Sequence, residues 1–575
     1  MNTIFTIILT ITILVLSLIL KDLLFEGRIK KINKLIPGPS TIPVFGNLLQ
    51  INAKDFPKSV NDFYERYGKV FRLRLGSVEI VVLTGPEVID ECFNKKHREI
   101  FKERYIKFSR FFGKDYNIIS SNGDYHYVLR GILTSEITTR KLNNGRLESN
   151  KFILEMFSNL CKDNKETLVK NTPNQIRILA VKLILNFTLG IEENDETILI
   201  IVEKIKCIFE AAGLLIYSDY LPFLFPLDIK SMSKNDIISS YFFLKDFIGI
   251  KLDAIKIKYE KENELKNETT DETSSKLNNI PIIENYYKNY LDGSIHYDSI
   301  LFSISDIIFA AVDSTSNGFS LLIGQLINKP EIQDKIYEEI MRNDENNNTN
   351  NISFADHTKY PYIISVMNES YRYNSSVPIT EPNKTTEDVE VNGYKIAKGT
   401  MIIKNLRGTH LSKEFWGEDA LEFKPERFKN QPLYQKGLFH FGAGPRGCPG
   451  GRFTESLTFT FLVIMLKNFK IVNPTDIPID VEGEVGLAMQ CKPFDALFIK
   501  HTNRNDFSKI NKGLNQQCFT SSSQFPTCYQ TEFFEFGFNG NFQLNDGIDC
   551  SSGVQQLSFF EKGFVFRVDH FLFEF

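Results

Sequence analysis

Residues 441–450 read Phe441-Gly442-Ala443-Gly444-Pro445-Arg446-Gly447-Cys448-Pro449-Gly450, a cysteine in a glycine-rich loop that leads straight into a predicted helix. Pro449 suits a first helical turn, where its missing N–H costs no helical bond. Downstream, Phe453, Leu457, Phe461, Leu462, Met465 and Leu466 recur at helical spacing and predict a buried face. A cysteine at a helix N-terminus sits in the positive end of the backbone dipole, which favours thiolate over thiol. Arg446, two residues earlier, adds a cation and a donor suited to a carboxylate. An isolated cysteine is ordinarily a buried apolar residue. Four specified neighbours and a helix start point instead to a ligand.

Size and charge narrow the rest. The chain has 575 residues, 42% of them hydrophobic, and is long for one core, which predicts a large domain with appendages or several domains. A net charge of -4 argues against nucleic acid as an electrostatic partner. The eight cysteines are scattered without a C-x-x-C pair, as in a reducing compartment. Residues 4–20 are apolar apart from Thr6, Thr10, Thr12 and Ser17, long enough for a membrane-spanning helix. Lys21, Arg28, Lys30, Lys31 and Lys34 follow, which favours leaving the following domain in the cytosol. Neither a basic leader nor a small-residue cleavage box marks a cleaved signal.

Residues 37–46 carry three prolines and two glycines, a stiff, turn-rich connector that cannot be helical. Residues 69–84 alternate like a β-hairpin with Gly76-Ser77 at its turn. Residues 147–258 read as successive helices broken at Gly190 and at 221–226, and the polar stretch 260–279 reads as a surface connector. Residues 343–351 form an asparagine-rich loop, and 391–404 read as strand, turn and strand.

Three further stretches carry chemistry. In Asn122-Gly123-Asp124-Tyr125-His126-Tyr127-Val128-Leu129-Arg130, His126 and Arg130 share one face if the segment is helical. Residues 300–323 are apolar nearly all round, which marks a buried helix. Its middle, Ala310-Ala311-Val312-Asp313-Ser314-Thr315, holds an acid and two hydroxyls, costly there unless partnered or used. Glu369 and Arg372 stand at i and i+3, a spacing that alone usually means a solvated surface pair. Pro425-Glu426-Arg427-Phe428 lies downstream as a second basic element.

The pattern F-x-x-G-x-R-x-C-x-G at 441–450 resembles the cysteine-ligand loop of the cytochrome P-450 family, with every fixed position filled. The other stretches follow in that family's order from about residue 37 to about 501. Residues 37–46 resemble its proline-rich hinge, 122–130 its N-G-x-x-W-x-x-x-R, and 310–315 its A-G-x-D-T-[TS]. The resemblance implies a mainly α fold with a smaller β-rich lobe and a haem b between the central buried helix and the cysteine loop. It implies Cys448 as the axial thiolate and metal ligand, whose electron donation favours O–O cleavage. Phe441, Arg446, Arg130 and His126 become cofactor-binding, the last three at the propionates. Asp313, Ser314 and Thr315 become catalytic in proton delivery, and Glu369, Arg372 and Arg427 one buried network. The chain departs from the pattern at His126 for tryptophan, Ala311 for glycine, Ser314 for threonine, and Asn383, followed by Lys384, for an arginine.

The implied reaction inserts one oxygen atom from O2 into an apolar organic substrate. Electrons come from a separate NADPH-dependent flavoprotein reductase in the same membrane, since no flavin-binding domain is visible. A haem-thiolate isomerase or dehydratase, or a decayed haem-binding protein, are the alternatives. The expected layout is an anchor over 1–21, a basic and proline-rich linker over 22–46, a catalytic domain over 47–502 and a Phe/Gly/Asn-rich tail over 503–575. The anchor would place the chain as a single-pass protein, in the endoplasmic reticulum with its catalytic domain cytosolic. Pocket walls are expected at 108–112, around Leu221 and at 377–379. Trp416 is expected to be packing.

Overall fold

The computed structural model describes residues 27–501 apart from 53–54, 105–112, 114, 162–163, 213–219, 222–236, 267–280, 344–351, 430–434 and 486–487, together with isolated positions between 5 and 20. The expected anchor helix, the pocket wall at 108–112, the asparagine-rich loop after residue 343 and the tail over 503–575 therefore lie wholly or largely outside the described residues. In chain order the strands are β1 (Val70–Leu75), β2 (Val78–Leu83), β3 (Glu103–Arg104), β4 (Glu166–Val169), β5 (Asn383–Lys384), β6 (Val389–Val391), β7 (Tyr394–Ile396), β8 (Met401–Lys404), β9 (Phe469–Val472), β10 (Glu484–Val485), β11 (Met489–Gln490) and β12 (Ala496–Lys500). The helices α1 (Gly123–Glu136), α2 (Thr172–Leu189), α3 (Tyr297–Asn328) and α5 (Gly451–Asn468) bring residues to the site, and α4 (Pro361–Tyr373) carries the Glu369 cluster.

The hairpin over 69–84 forms with Leu75 opposite Val78 and Gly76 in the left-handed region at φ 55°. Its strands alternate faces. Phe71, Leu73, Leu75, Ile80 and Val82 pack on one side, and Val70, Val81 and Leu83 on the other. Extended by β8, β5 and β3, they give a sheet of order β1-β2-β8-β5-β3, in which β2 and β8 run parallel and the other pairs antiparallel. Asn392 and Gly393 both take positive φ and close the β6–β7 hairpin.

Residues 37–46 do not stand apart as a spacer. Pro37 accepts from Arg72 N at 2.8 Å, and Ile42 accepts from Arg74 Nη2 at 2.9 Å, so the segment lies along β1. Gly46, at φ 62°, approaches the Arg74 carbonyl so closely that a Cβ there would collide with it.

The buried helix predicted over 300–323 is longer, spanning α3, and its His296 ring accepts from Asp298 N at 3.2 Å at the helix start. It is apolar and long enough to cross a membrane, yet it runs through the main core with α2 beside it. The break at Gly190 is a left-handed C-cap whose N–H donates to Asn186 O. Two local readings are corrected. Residues 260–266 belong to the helix Ile237–Lys266, and Glu166–Val169, inside the stretch read as helical, is a strand paired with β12. That pairing joins positions more than three hundred residues apart, which no local pattern announces.

Glu369, Arg372 and Arg427 meet in one buried cluster. Glu369 accepts from Arg372 Nε at 2.7 Å, Arg372 Nη2 at 2.8 Å, Arg427 Nε at 3.0 Å and Lys424 N at 2.7 Å. Trp416, fully buried, packs over the Arg372 guanidinium and donates Nε1 to Thr409 O.

Candidate cofactor cavity

The cysteine loop owes its shape to its glycines. Gly442 and Gly444 sit at φ 74° and 73°, and a Cβ on Gly444 would lie 2.5 Å from Phe93 O. The backbone then folds back so that Cys448 N donates to Phe441 O at 2.7 Å. A Cβ on Gly451 would press within 3.0 Å of the Phe441 ring, and one on Gly450 would stand 3.7 Å from Cys448 Sγ. α5 begins at Gly451, so Cys448 and Pro449 precede the helix rather than occupying its first turn.

Cys448 opens into a partly open cavity of about 340 Å3. Burial raises its thiol pKa, while the N–H groups of Gly450 and Gly451 and the Arg130 charge pull it down. Burial wins, so the helix start and its cations do not by themselves make a thiolate. A bound metal would, since coordination deprotonates a thiol outright.

The wall around the cysteine is cationic. Arg104, Arg130, Lys404, Arg446 and the imidazole of His126 all line the cavity. Asn122, which precedes α1, organises two of them: its Oδ1 accepts from Arg104 N at 2.8 Å and from Arg446 Nη2 at 2.7 Å. Arg446 also donates Nε to Lys102 O at 2.8 Å and Nη2 to Ser121 O at 2.6 Å. Its Nη1 is buried and meets no hydrogen-bond partner among the described residues. Burial, with Arg104 and Arg130 close by, brings the Arg446 pKa down to about 9. His126 is buried and its pKa falls to about 3, by burial first and then by Arg446, Arg130 and Arg104. A neutral imidazole keeps one N–H to donate.

α3 supplies another wall through Asp306, Ile307, Phe309, Ala310, Ala311 and Ser314. Ser314 Oγ donates to Ala310 O at 2.7 Å, the back-bond to the preceding turn. Asp313 and Thr315, read with Ser314 as one relay, are buried but do not line the cavity. Asp313 faces α2 and β11, where Gln490 Nε2 donates to Oδ2 at 2.7 Å and Arg177 Nη2 stands 3.8 Å from Oδ1. Only the serine of the three reaches the open space.

Val377 and Phe441 line the cavity, whereas Leu221 packs beneath β1 and β2 in a separate cluster. Asn383 is buried off the cavity and Lys384 reaches out to Glu103 at 3.7 Å, so neither is a cation on the wall. Sequence reading missed Arg104, Glu381, Lys404 and Asp306. The available signal was weak: Lys404 closes an otherwise apolar strand, and Asp306 interrupts an apolar helix.

An unpartnered guanidinium nitrogen, three further cations and a cysteine around one cavity fit a group that carries both a metal and carboxylates. Fold and site thus define a cysteine-centred cofactor protein of the mainly α class. The family model for cytochrome P450 matches residues 36–498. Probable cytochrome P450 514A4 of Dictyostelium discoideum is 99% identical over 500 residues, covering 87% of this chain and 100% of that protein. Probable cytochrome P450 514A2 of the same organism is 64% identical over 503 residues, 87% of this chain and 100% of that one. A zebra fish cytochrome P450 solved with progesterone shares the fold, with TM-score 0.63 at 17% identity over 77% of this chain and 99% of that one. The chain belongs to the cytochrome P450 family. It is thereby in general a haem-thiolate monooxygenase, an oxygen-incorporating oxidoreductase that works with O2, an organic substrate and a redox partner.

Proposed function

We propose that this chain inserts one oxygen atom from O2 into an apolar organic substrate, with Cys448 as the axial ligand of a haem b. The observation that carries the reading is the placement of Cys448, open to a cavity whose wall also bears Arg446, Arg130 and His126. When bound, haem supplies an iron centre whose thiolate ligand favours O–O cleavage.

The chain's own residues do the rest. Gly450 and Gly451 aim two N–H groups at Cys448 Sγ, which stabilises its charge. Arg446 Nη1 and the His126 N–H would hold carboxylates of the bound group, and Arg130, which interacts with the Cys448 sulfur, would add positive charge there. Ser314 Oγ is the hydroxyl through which a proton reaches the cavity. Asp313, one residue back and held by Gln490 and Arg177, is the acid set behind it. Ile118, Ile307, Phe309 and Val377 keep the substrate side apolar and exclude water. A retained hydroxyl at Ser314 on the cavity wall favours oxygenation over a haem-thiolate isomerisation, which needs no proton delivery. Electrons come from a separate NADPH-dependent flavoprotein reductase. Residues 1–21 hold the chain in the endoplasmic reticulum membrane, 22–46 run from it and pack along β1 over 37–46, 47–502 form the cytosolic catalytic domain, and 503–575 are an unassigned tail.

Cys448→Ser tests the ligand. The variant is expected to lose the red-shifted carbon monoxide complex of a thiolate haem, because an alcohol is a poor ligand at neutral pH. Retention of that spectrum would overturn the assignment.

A further inference from the structure

Lys404 ends β8 with only 3% of its surface exposed, and it lines the cofactor cavity. Its ammonium donates to Asn383 Oδ1 at 2.8 Å and lies 3.9 Å from the centre of the Phe93 ring. Neither neighbour is charged. Among the described residues no carboxylate lies within ion-pair distance of Nζ. Burial holds the Lys404 pKa well below its ordinary value and Arg104 lowers it further, so its charge is disfavoured until an anion arrives; the Cys92 thiol, which burial pushes up to about 12, stays neutral and offers none. Burial raises the carboxyl pKa of Glu381 on the same wall, which disfavours its charge, against a smaller pull from Arg104. A buried ammonium is costly unless paired, so this lysine is built for an anion that the protein itself does not provide.

Asn383 is held in the matching sense. Its Nδ2 donates to Phe101 O at 2.8 Å, which turns its oxygen to the lysine. Position 383 on β5 pairs with Ile402 on β8, two residues from Lys404, so one point on the wall can be reached from either strand.

We propose that Lys404 is an anion-holding residue of the cavity, that Asn383 is its positioning residue, and that the anion is a carboxylate of the bound haem. The inference rests on the haem reading above. Arg104, Arg130 and Arg446 already place positive charge on this wall, and a fourth cation beside them is tolerable only with an anion in the cavity. Lys404 thereby supplies from β8 the cation that β5 lacks.

The test uses the full chain with haem bound. Rates of haem loss to excess apomyoglobin are compared for the wild type, Lys404→Met, Lys404→Arg and the double variant Asn383→Arg/Lys404→Met. Urea unfolding of the haem-free chain is measured in parallel. Lys404→Met is expected to lose haem roughly 10- to 100-fold faster, the worth of one charged hydrogen bond. Its haem-free form should be no less stable than wild type, because a buried amine with no anionic partner has been removed. Lys404→Arg and the double variant should return towards the wild-type rate. Two results would overturn the proposal: an unchanged haem-loss rate in Lys404→Met, or a faster rate matched by equal destabilisation of the haem-free chain, which marks a merely structural lysine. A wild-type chain that takes up no haem would bring down the functional reading itself, and this inference with it.

Discussion

His126 shows how a departure from a family pattern can be judged by its surroundings. Three arginines and burial hold its pKa at about 3, so it stays neutral where an ordinary histidine titrates. Its contribution is one N–H, and tryptophan offers the same donor with more apolar area. His126→Ala should weaken haem binding by about 1.5–3 kcal/mol, the range for a hydrogen bond to a charged group. His126→Trp should hold or improve it, read as haem retained through a mild denaturant challenge. Wild-type retention should not step down as pH falls through 6.5. The residue was legible from its motif spacing, but its charge state was not, because that depends on Arg104 and Arg446, brought in from distant segments.

The Glu369 cluster shows what an element-level junction costs to break. Arg372 donates Nη1 to His410 O at 2.8 Å and to Ala420 O at 2.7 Å, so α4 is tied to the short helix Leu406–His410 and to the turn at Ala420 through one side chain. Glu369→Gln leaves two buried guanidinium groups without their carboxylate and should cost about 3–5 kcal/mol in denaturant unfolding. The exposed Lys58–Asp62 pair, broken by Lys58→Ala, should cost under about 1 kcal/mol in the same assay. From the sequence the two pairs look alike, since each is an acid and a base one helical turn apart. What separates them is that Arg427 and Trp416 close over the first. Elements with a strong internal period, such as the β1–β2 hairpin and α3, were readable in advance. β4 was not, because its four residues acquire a strand's identity only from β12.

Across the whole molecule, buried acids set the pH dependence of stability. Asp306 accepts from Ile119 N at 3.3 Å and from the Asn117 amide, yet burial lifts its carboxyl to about 8. The unfolded chain releases this proton near pH 4, whereas the folded chain keeps it to about 8. Its contribution to stability is therefore full below pH 4 and is lost as pH rises through 8. Asp306→Asn should shrink the difference in urea stability between pH 5 and pH 8. The difference should not vanish, because burial also raises Glu339, Glu381 and Glu455. The mainly α architecture and the cysteine loop were legible because periodicity and a dense motif are local. Arg104, Glu381 and Lys404 were not, because a charge in a loop or a short strand reads as surface until its neighbours are known. The order of these residues along the chain has a consequence for biosynthesis. The cavity draws on Arg104, His126, Ser314, Lys404 and Cys448, so no growing chain can assemble it until the ribosome has passed residue 448. Cofactor capture must then be an event of the nearly finished polypeptide, after most of its helices have already had time to pack.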